Sequence, residues 1–360
     1  MTRPGRRRVA RLVRSSGRRA RGALAAAAML ATACSRQPVR NQSALHPAGP
    51  QAERMADLWW IALGISAVVF ALVLVALGIA MTASRRRRGR RAEEPDASRR
   101  LTRIVGAAVG VTVLVLIGWL ATSIAAGRPL TALAESGVPD RGEPLTINLT
   151  AQQWWWEVEY AAPEPQQRLL TANEIRIPVG RPIVLRMASR DVIHSFWVPS
   201  LHGKRDLIPG YTSTTWFQAD SAGVYRGQCA EFCGLQHAKM GLVVVAMPRA
   251  EFEEWYRSQL LPAAEPADSI RRHGQKVFLT SSCMLCHSIR GTSAGGRLGP
   301  DLTHLGSRGT LAAASIPNTR GHLAGWMVDP QRIKPGVHMP PNNLPPQDLQ
   351  ALIAYLEGLR

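Results

Sequence analysis

Acidic residues are scarce in this 360-residue chain: 25 Asp and Glu stand against 44 Lys and Arg, a formal charge of +19. Such an excess ordinarily raises nucleic acid as a partner. Its distribution excludes that. Residues 1–103 hold 21 Arg and only 5 acidic residues, a surplus of +16, so the other 257 residues carry just +3. No basic stripe with interleaved aromatics runs through that remainder, and no nucleic-acid partner is expected. Cysteine is nearly as rare, with five in all. Cys34 ends an export-type leader, and the other four fall in two metal-type motifs, so no pair is left for a structural disulfide. Internal repeats are absent, which excludes solenoid and propeller architectures. The length allows two or three domains plus membrane segments.

Long apolar runs are what the basic N-terminal third does contain. Residues 1–33 open on an Arg-rich stretch and continue into the short apolar run Ala23 to Ala33. That run is too short to span a bilayer and has the shape of a secretory signal. Ala31, Thr32 and Ala33 before Cys34 resemble a bacterial lipoprotein cleavage site, with Cys34 lipidated; a plain signal with an incidental cysteine is the other reading. Leu58 to Ala83 is a 26-residue stretch without charge, and Ile104 to Gly127 a 24-residue one. Each exceeds the roughly 20 residues needed to cross the hydrocarbon core, and neither shows the polar face of a buried amphipathic helix. The spacing predicts a transmembrane hairpin over 55–128, embedded in lipid. Arg85 to Arg103 holds nine Arg between the two spans. Cationic loops stay cytoplasmic, so both ends of the hairpin and everything after residue 128 should face outside.

Beyond the hairpin, the runs Leu145–Leu149, Ile175–Ile177, Ile183–Met187, Thr214–Phe217 and Leu242–Ala246 are separated by Pro and Gly turns at strand-like spacing. They predict a small antiparallel barrel or sandwich within 140–260. Residues 249–260 change to helical periodicity, and Leu261 to Ala267 reads as a linker. From Asp268 a helix leads into a Cys-rich motif, followed by a Gly-rich loop, a middle helix near His322 to Val328 and a last helix from Pro346 to Leu359. A mostly α domain over 266–360, with long loops wrapping a cofactor, is expected.

Within twelve residues, the segment Cys229-Ala-Glu231-Phe-Cys233-Gly-Leu-Gln-His237-Ala-Lys-Met240 packs two thiols, an imidazole and a thioether. A core has no use for that density of soft ligands. Thiolates and thioethers favour copper over hard cations, and two cysteines four apart on a tight loop can present both sulfurs to one cluster. Structural zinc is one alternative, though zinc loops use shorter Cys spacing and rarely recruit Met; a Cys229–Cys233 disulfide in an oxidising compartment is another. A second signature, Cys283-Met-Leu-Cys286-His287, has the form of covalent haem c attachment.

Residues 55–260 resemble subunit II of the haem–copper cytochrome c oxidases. The resemblance rests on Gln153-Trp154-Trp155-Trp156, on Asp191-Val-Ile-His194-Ser-Phe-Trp-Val-Pro-Ser, and on Gly227-Gln-Cys229 through Met240, in that order. It implies a cupredoxin-like domain holding a binuclear CuA centre. Cys229 and Cys233 would bridge two coppers, and His194 and His237 would each bind one. Met240 would be a weak ligand on one copper and the Glu231 carbonyl on the other, with the Glu231 side chain reaching a magnesium or manganese ion shared with subunit I. Trp154 would be where electrons arrive; the family usually has Tyr where Trp155 stands. Of the remaining histidines, His202, His46 and His273 are expected to be surface or core residues.

Cys283 and Cys286 would form thioether bonds to the haem vinyl groups, and His287 would be the proximal ligand. Met339, in Gly336-Val-His-Met339-Pro-Pro, matches the axial Met of class I cytochromes c; Met327 and His338 are the competitors. Pro300 resembles the proline whose carbonyl orients the proximal His. The order copper domain, then cytochrome c, resembles the caa-type oxidases. The expectation is therefore a multidomain membrane protein with a two-helix transmembrane hairpin, an all-β cupredoxin-like domain and an all-α class I cytochrome c domain. It would work in the bacterial cell membrane with both cofactor domains on the outer face. It would take electrons from an external cytochrome c or equivalent donor and pass them from haem c to CuA and on to subunit I, where oxygen is reduced and protons are translocated. A copper-free quinol oxidase subunit, a CuA-bearing subunit of a nitric oxide reductase and a free-standing electron carrier are the competing readings.

Overall fold

The computed structural model describes residues 42–86, 95–136 and 143–360. The leader and Cys34 lie outside the described residues, as does part of the Arg-rich connection between the spans. Helix α1 (Pro50–Arg86) and helix α2 (Pro95–Ser136) contain the two charge-free runs. Both are long and apolar enough to cross a membrane, and none of the most apolar window of either is buried inside the protein. Phe70 and Leu114, for example, are 65% and 69% exposed. Water does not tolerate a continuous apolar sleeve of this size; a bilayer does. The start of α1 is tied down by Ala48, whose N–H donates to Ser200 O (2.7 Å) and whose carbonyl accepts from Asp220 N (2.8 Å).

Ten strands follow and form two five-stranded sheets. They are β1 (Leu145–Gln152), β2 (Trp155–Tyr160), β3 (Leu169–Ala172), β4 (Glu174–Pro178), β5 (Ile183–Ser189), β6 (His194–Trp197), β7 (Arg205–Leu207), β8 (Ser213–Phe217), β9 (Gly223–Cys229) and β10 (Gly241–Met247). Sheet order is β3-β2-β1-β5-β8 in one layer and β4-β10-β9-β6-β7 in the other. Along β1 burial alternates residue by residue, with Ile147 and Leu149 fully buried, as the two-residue period of a strand with one face on the core requires. Trp156, Val158 and Tyr160 do the same from β2, and Phe196, Leu242 and Val244 meet them from the second layer. The sheets are not wholly antiparallel, contrary to the sequence expectation: β1 pairs β5 in parallel, and β10 pairs β4 in parallel. The second arises because the chain changes layer between β3 and β4 at a single residue, Asn173, in the left-handed region at φ 61°. Asn tolerates that region better than most residues. Here its Oδ1 accepts from Trp156 N and its carbonyl from Val243 N, both at 2.9 Å, so one residue stitches both layers.

Helix α3 (Arg249–Leu260) closes one end of the sandwich, with Phe252 and Trp255 against Tyr160. A second apolar core then forms among α4 (Ser269–Thr280), the single-turn α5 (Cys283–Cys286), α6 (Arg320–Val328), the short α7 (Pro330–Ile333) and α8 (Pro346–Gly358). Asp268 caps α4 by accepting from Arg271 N (2.8 Å), and Pro346 starts α8 where a missing N–H is harmless. The rings of Phe278 and Tyr355 join α4 to α8 at 6.4 Å. The segment read as a linker is held in place: Ala263 N donates to Arg290 O (2.9 Å), and His304 Nε2 bonds Leu261 O (3.0 Å).

Candidate metal and haem centres

His194 opens β6 and Cys229 ends the neighbouring β9, where Cys229 pairs Phe196 across the ladder. Residues 230–240 loop out and return as β10. Two backbone bonds pin the loop's base, Cys229 N to Met240 O and Ala230 N to Ser195 O, both 2.9 Å. Sheet register thereby brings His194 to the sulfurs. Cys229 Sγ lies 3.8 Å from His194 Nδ1, 3.8 Å from Cys233 Sγ and 3.2 Å from the Glu231 carbonyl oxygen. Cys233 Sγ lies 3.7 Å from His237 Nδ1 and 3.8 Å from Met240 Sδ.

The two sulfurs are far beyond the roughly 2.05 Å of a disulfide, and both cysteines are free and buried. One imidazole lies beside Cys229 and the other beside Cys233. Among the described residues, the ligand atoms of His194, Cys229 and Cys233 lie within 4.8 Å of one another, and His237 is not part of that group. Four donors around one point would suit tetrahedral zinc. A sulfur pair with one imidazole beside each sulfur, plus a thioether and a carbonyl, suits two soft metals bridged by thiolates.

The ligand side chains perturb one another's protonation, and metal binding must displace the protons that remain. The Cys229 thiol is pulled well below its ordinary value, first by the hydrogen bond with Cys233 and then by the one with His194. The hydrogen bond with Cys229, burial and the charge on Cys229 in turn hold the Cys233 proton on. Burial works against a charged His194, but its bonds to Cys229 and Asp191 outweigh burial and raise its pKa. Asp191 Oδ1 meets His194 Nε2 at 2.8 Å, which fixes the ring and leaves Nδ1 to face the sulfur. Asp191 lies three residues before His194, a spacing that could have revealed this partner in the sequence.

Trp154 is 6% exposed, and its Nε1 donates to the backbone carbonyl of Cys233 at 2.9 Å. Gln153 Nε2 donates to the same oxygen at 2.8 Å. Such close approach requires Gly234: its φ is +106°, and a Cβ there would lie 3.0 Å from Gln153 Nε2 and 3.2 Å from Trp154 Cζ2. Trp155, half-buried, begins β2. His202 is buried between Gly203 O and Thr215 Oγ1, and His273 pairs Asp348 on the surface.

In the helical part, Cys283 and Cys286 are free and half-buried at the two ends of α5. One helical turn sets both on a common face. His287 Nδ1 bonds the Pro300 carbonyl at 2.7 Å. A carbonyl only accepts, so the proton is on Nδ1 and the Nε2 lone pair is free. Burial lowers the pKa of His287 and keeps the ring neutral. Gly299 makes the arrangement possible, because a Cβ there would lie 2.6 Å from His287 Cε1. Of the methionines considered as axial ligands, Met327 is 5% exposed within the second core. Met339 is half-buried in the loop before α8, its carbonyl accepting from Gln331 Nε2 at 2.9 Å. The chemistry of this donor set fits a thioether-linked haem with a neutral proximal imidazole.

The two cofactor regions meet along a polar seam. Arg176 Nη2 bridges Glu174 Oε1 and Ser307 O, both at 2.8 Å, and Gly309 N donates to Glu174 Oε2 at 2.9 Å. Half-buried Arg308 donates to Asp301 O (2.6 Å) and Thr171 Oγ1 (3.2 Å). Gly241 N reaches Ala313 O, and Arg226 Nη1 reaches Ala314 O. Nearest the sulfurs, Lys334 is only 2% exposed, and its Nζ donates to Trp154 O (2.9 Å) and Ala312 O (3.3 Å). Burial pulls its pKa down to about 7. Nothing in the sequence marked Lys334, whose partner Trp154 lies 180 positions away.

Residues 161–247 match the family model for the cytochrome c oxidase subunit II periplasmic domain, and residues 272–360 match that for cytochrome c. The cytochrome c oxidase subunit 2 of Alkalihalophilus pseudofirmus is 32% identical over 323 residues, covering 89% of this chain and 91% of that protein. Its counterpart in Bacillus sp. (strain PS3) is 30% identical over 229 residues, covering 60% of this chain and 62% of that one. Among solved structures, the periplasmic domain of subunit II of the cytochrome oxidase of Bradyrhizobium japonicum is 32% identical. It covers 32% of this chain and 92% of its own, with a TM-score of 0.30.

Proposed function

The chain belongs to the cytochrome c oxidase subunit II family and ends in a cytochrome c domain, and from that premise we propose that it is the electron-receiving subunit of a caa-type oxidase. It is one component of a haem–copper oxidoreductase complex, and oxygen is reduced in another subunit. The observation that carries the copper reading is the sulfur pair 3.8 Å apart with one imidazole beside each sulfur. When bound, a thiolate-bridged copper pair shares one electron across two metals, so either metal reorganises little as the electron comes and goes.

The protein's part is to hold the donors. Cys229 and Cys233 would hold the copper pair together, with His194, His237, Met240 Sδ and the Glu231 carbonyl supplying the remaining donors. Asp191 orients His194. The Glu231 side chain is assigned to a magnesium or manganese ion shared with subunit I. Cys283 and Cys286 would attach the haem, His287, its tautomer fixed by Pro300, and Met339 would hold its iron, and a Met/His ligand set would raise the potential. Electrons run from an external cytochrome c or equivalent donor to haem c, to CuA through Trp154, and on to subunit I. The modules over 140–260 and 266–360 face the outside of the membrane, with the Arg-rich connection of the hairpin on the cytoplasmic side.

Cys229→Ser replaces a soft bridging thiolate by a hard hydroxyl that cannot hold the copper pair. The mixed-valence copper EPR signal should vanish while haem c absorbance remains. An unchanged EPR spectrum overturns the copper assignment.

A further inference from the structure

We infer that His338 is the residue on the haem side of the seam through which the electron passes to Trp154. The inference rests on the reading of Trp154 as the residue through which electrons reach the copper ligands, and adds its donor-side partner. The ring centroids of His338 and Trp154 lie 5.6 Å apart with planes inclined at 45°. On one side of this pair, His338 precedes Met339, the assigned axial ligand, in the chain. On the other, Trp154 Nε1 is bonded to the backbone carbonyl of Cys233, a bridging sulfur ligand, at 2.9 Å. The links between the two ligand sets are therefore one peptide bond, one ring contact and one hydrogen bond. No longer jump through space is needed.

The loop carrying His338 is clamped from both sides. Lys334 Nζ holds its start to Trp154 O at 2.9 Å. Gln236 Nε2 donates to Pro335 O at 2.5 Å, and Lys239 Nζ donates to Ile333 O. From within the cytochrome part, Gln331 donates to the carbonyls of Val337 and Met339 at 2.8 and 2.9 Å and accepts from Gly336 N at 2.8 Å. The peptide carbonyls and amides do the holding. The His338 imidazole is exposed and makes no hydrogen bond to any described residue, so its contribution is its ring face on Trp154. In the step itself one electron leaves ferrous haem c, which becomes ferric, and CuA is reduced by one electron. No bond is made or broken and no proton moves.

The test uses the full oxidase complex, with haem c reduced by a flash-excited photoreductant and CuA absorbance followed in time. His338→Ala removes the ring and should slow haem c to CuA transfer, because the ring contact that links the two ligand sets is lost. His338→Phe restores a ring and should recover the rate. In both variants the haem c spectrum and potential should stay unchanged. So should hydrogen exchange at the Gly241 and Gly309 amides, which bond across the seam. If His338→Ala transfers at the original rate while Trp154→Phe is slow, the inference about His338 is wrong and the Trp154 reading stands. If neither variant is slow, both are wrong. A slow His338→Ala with faster exchange at those amides, or with an altered haem spectrum, assigns the effect to undocking or to Met339 and overturns the role given to the ring.

Discussion

Met327 and Met339 make opposite demands on the cytochrome part, and replacing each by Ala separates packing from ligation. Met327 is 5% exposed in a cluster with Leu323, Leu352 and Leu356. Truncating a methionine so placed leaves a cavity and costs about 2–5 kcal/mol. In a unit of this size each kcal/mol moves the melting temperature by about 4–8 °C, so Met327→Ala should melt at least about 8 °C lower. Its haem potential should stay close to that of the unaltered protein. Met339 is half-buried in a loop whose shape is set by Gln331, so little core packing is lost with its side chain. Met339→Ala should keep the covalent haem, which depends on Cys283, Cys286 and His287. Its potential should fall, because thioether ligation is what raises it. A spectroelectrochemical titration beside a thermal melt reads both quantities. A fall in potential in Met327→Ala but not in Met339→Ala would refute the axial assignment.

Gly234→Ala adds a Cβ that meets Gln153 Nε2 and Trp154 Cζ2 and imposes a left-handed cost of roughly 1–2 kcal/mol; the copper EPR parameters should shift and haem c to CuA transfer should slow, and an unaltered spectrum and rate would mean the Trp154 contact to Cys233 is unimportant. In membranes, a reagent restricted to the outside should label a Cys placed at Ala134 and spare one placed at Ala92, because nine Arg between the spans resist translocation; the reverse pattern would invert the topology.

The helices were legible because their signals are local. Residues 249–260, the stretch after Asp268 and the run from Pro346 carry helical period within a dozen positions, the second with Asp268 as its cap and the third with Pro346 at its start. So were the two spans and both Cys-rich motifs. Strands β2, β6 and β9 were missed for a common reason: their residues do not read as aliphatic runs. In β2 the buried set is Trp156, Val158 and Tyr160 between half-buried Trp155, Glu157 and Glu159, an alternation that aromatics and acids disguise. β6 begins on His194 and β9 ends on Cys229, positions that read as ligands before they read as strand. The parallel pairings of β4 and β5 depend on partners dozens of residues away, which no local pattern encodes. The seam is the largest omission. Glu174, Arg176, Arg308 and Lys334 look like ordinary surface charges in the sequence; Glu174 and Lys334 are buried, and Arg176 and Arg308 half-buried, where two separate modules meet. A linker read as a free tether is, for the same reason, fastened at Ala263 and Leu261.

On this reading, electrons from outside reach CuA through the fused haem. Truncating the chain after Leu261 tests it directly, with turnover of the external physiological carrier as the readout. Removing the cytochrome part exposes Trp154 O, Glu174 and Thr171 to water rather than leaving them buried without partners, so the sandwich and its copper should survive, and small artificial donors should still reduce CuA. Residues 145–262 carry 11 basic and 11 acidic residues, which offers no net field to steer a diffusing protein donor. Oxidation of the physiological carrier should therefore fall sharply. Oxidation by the truncated enzyme at the full-length rate would contradict the claim and place the carrier's docking site on the copper domain itself.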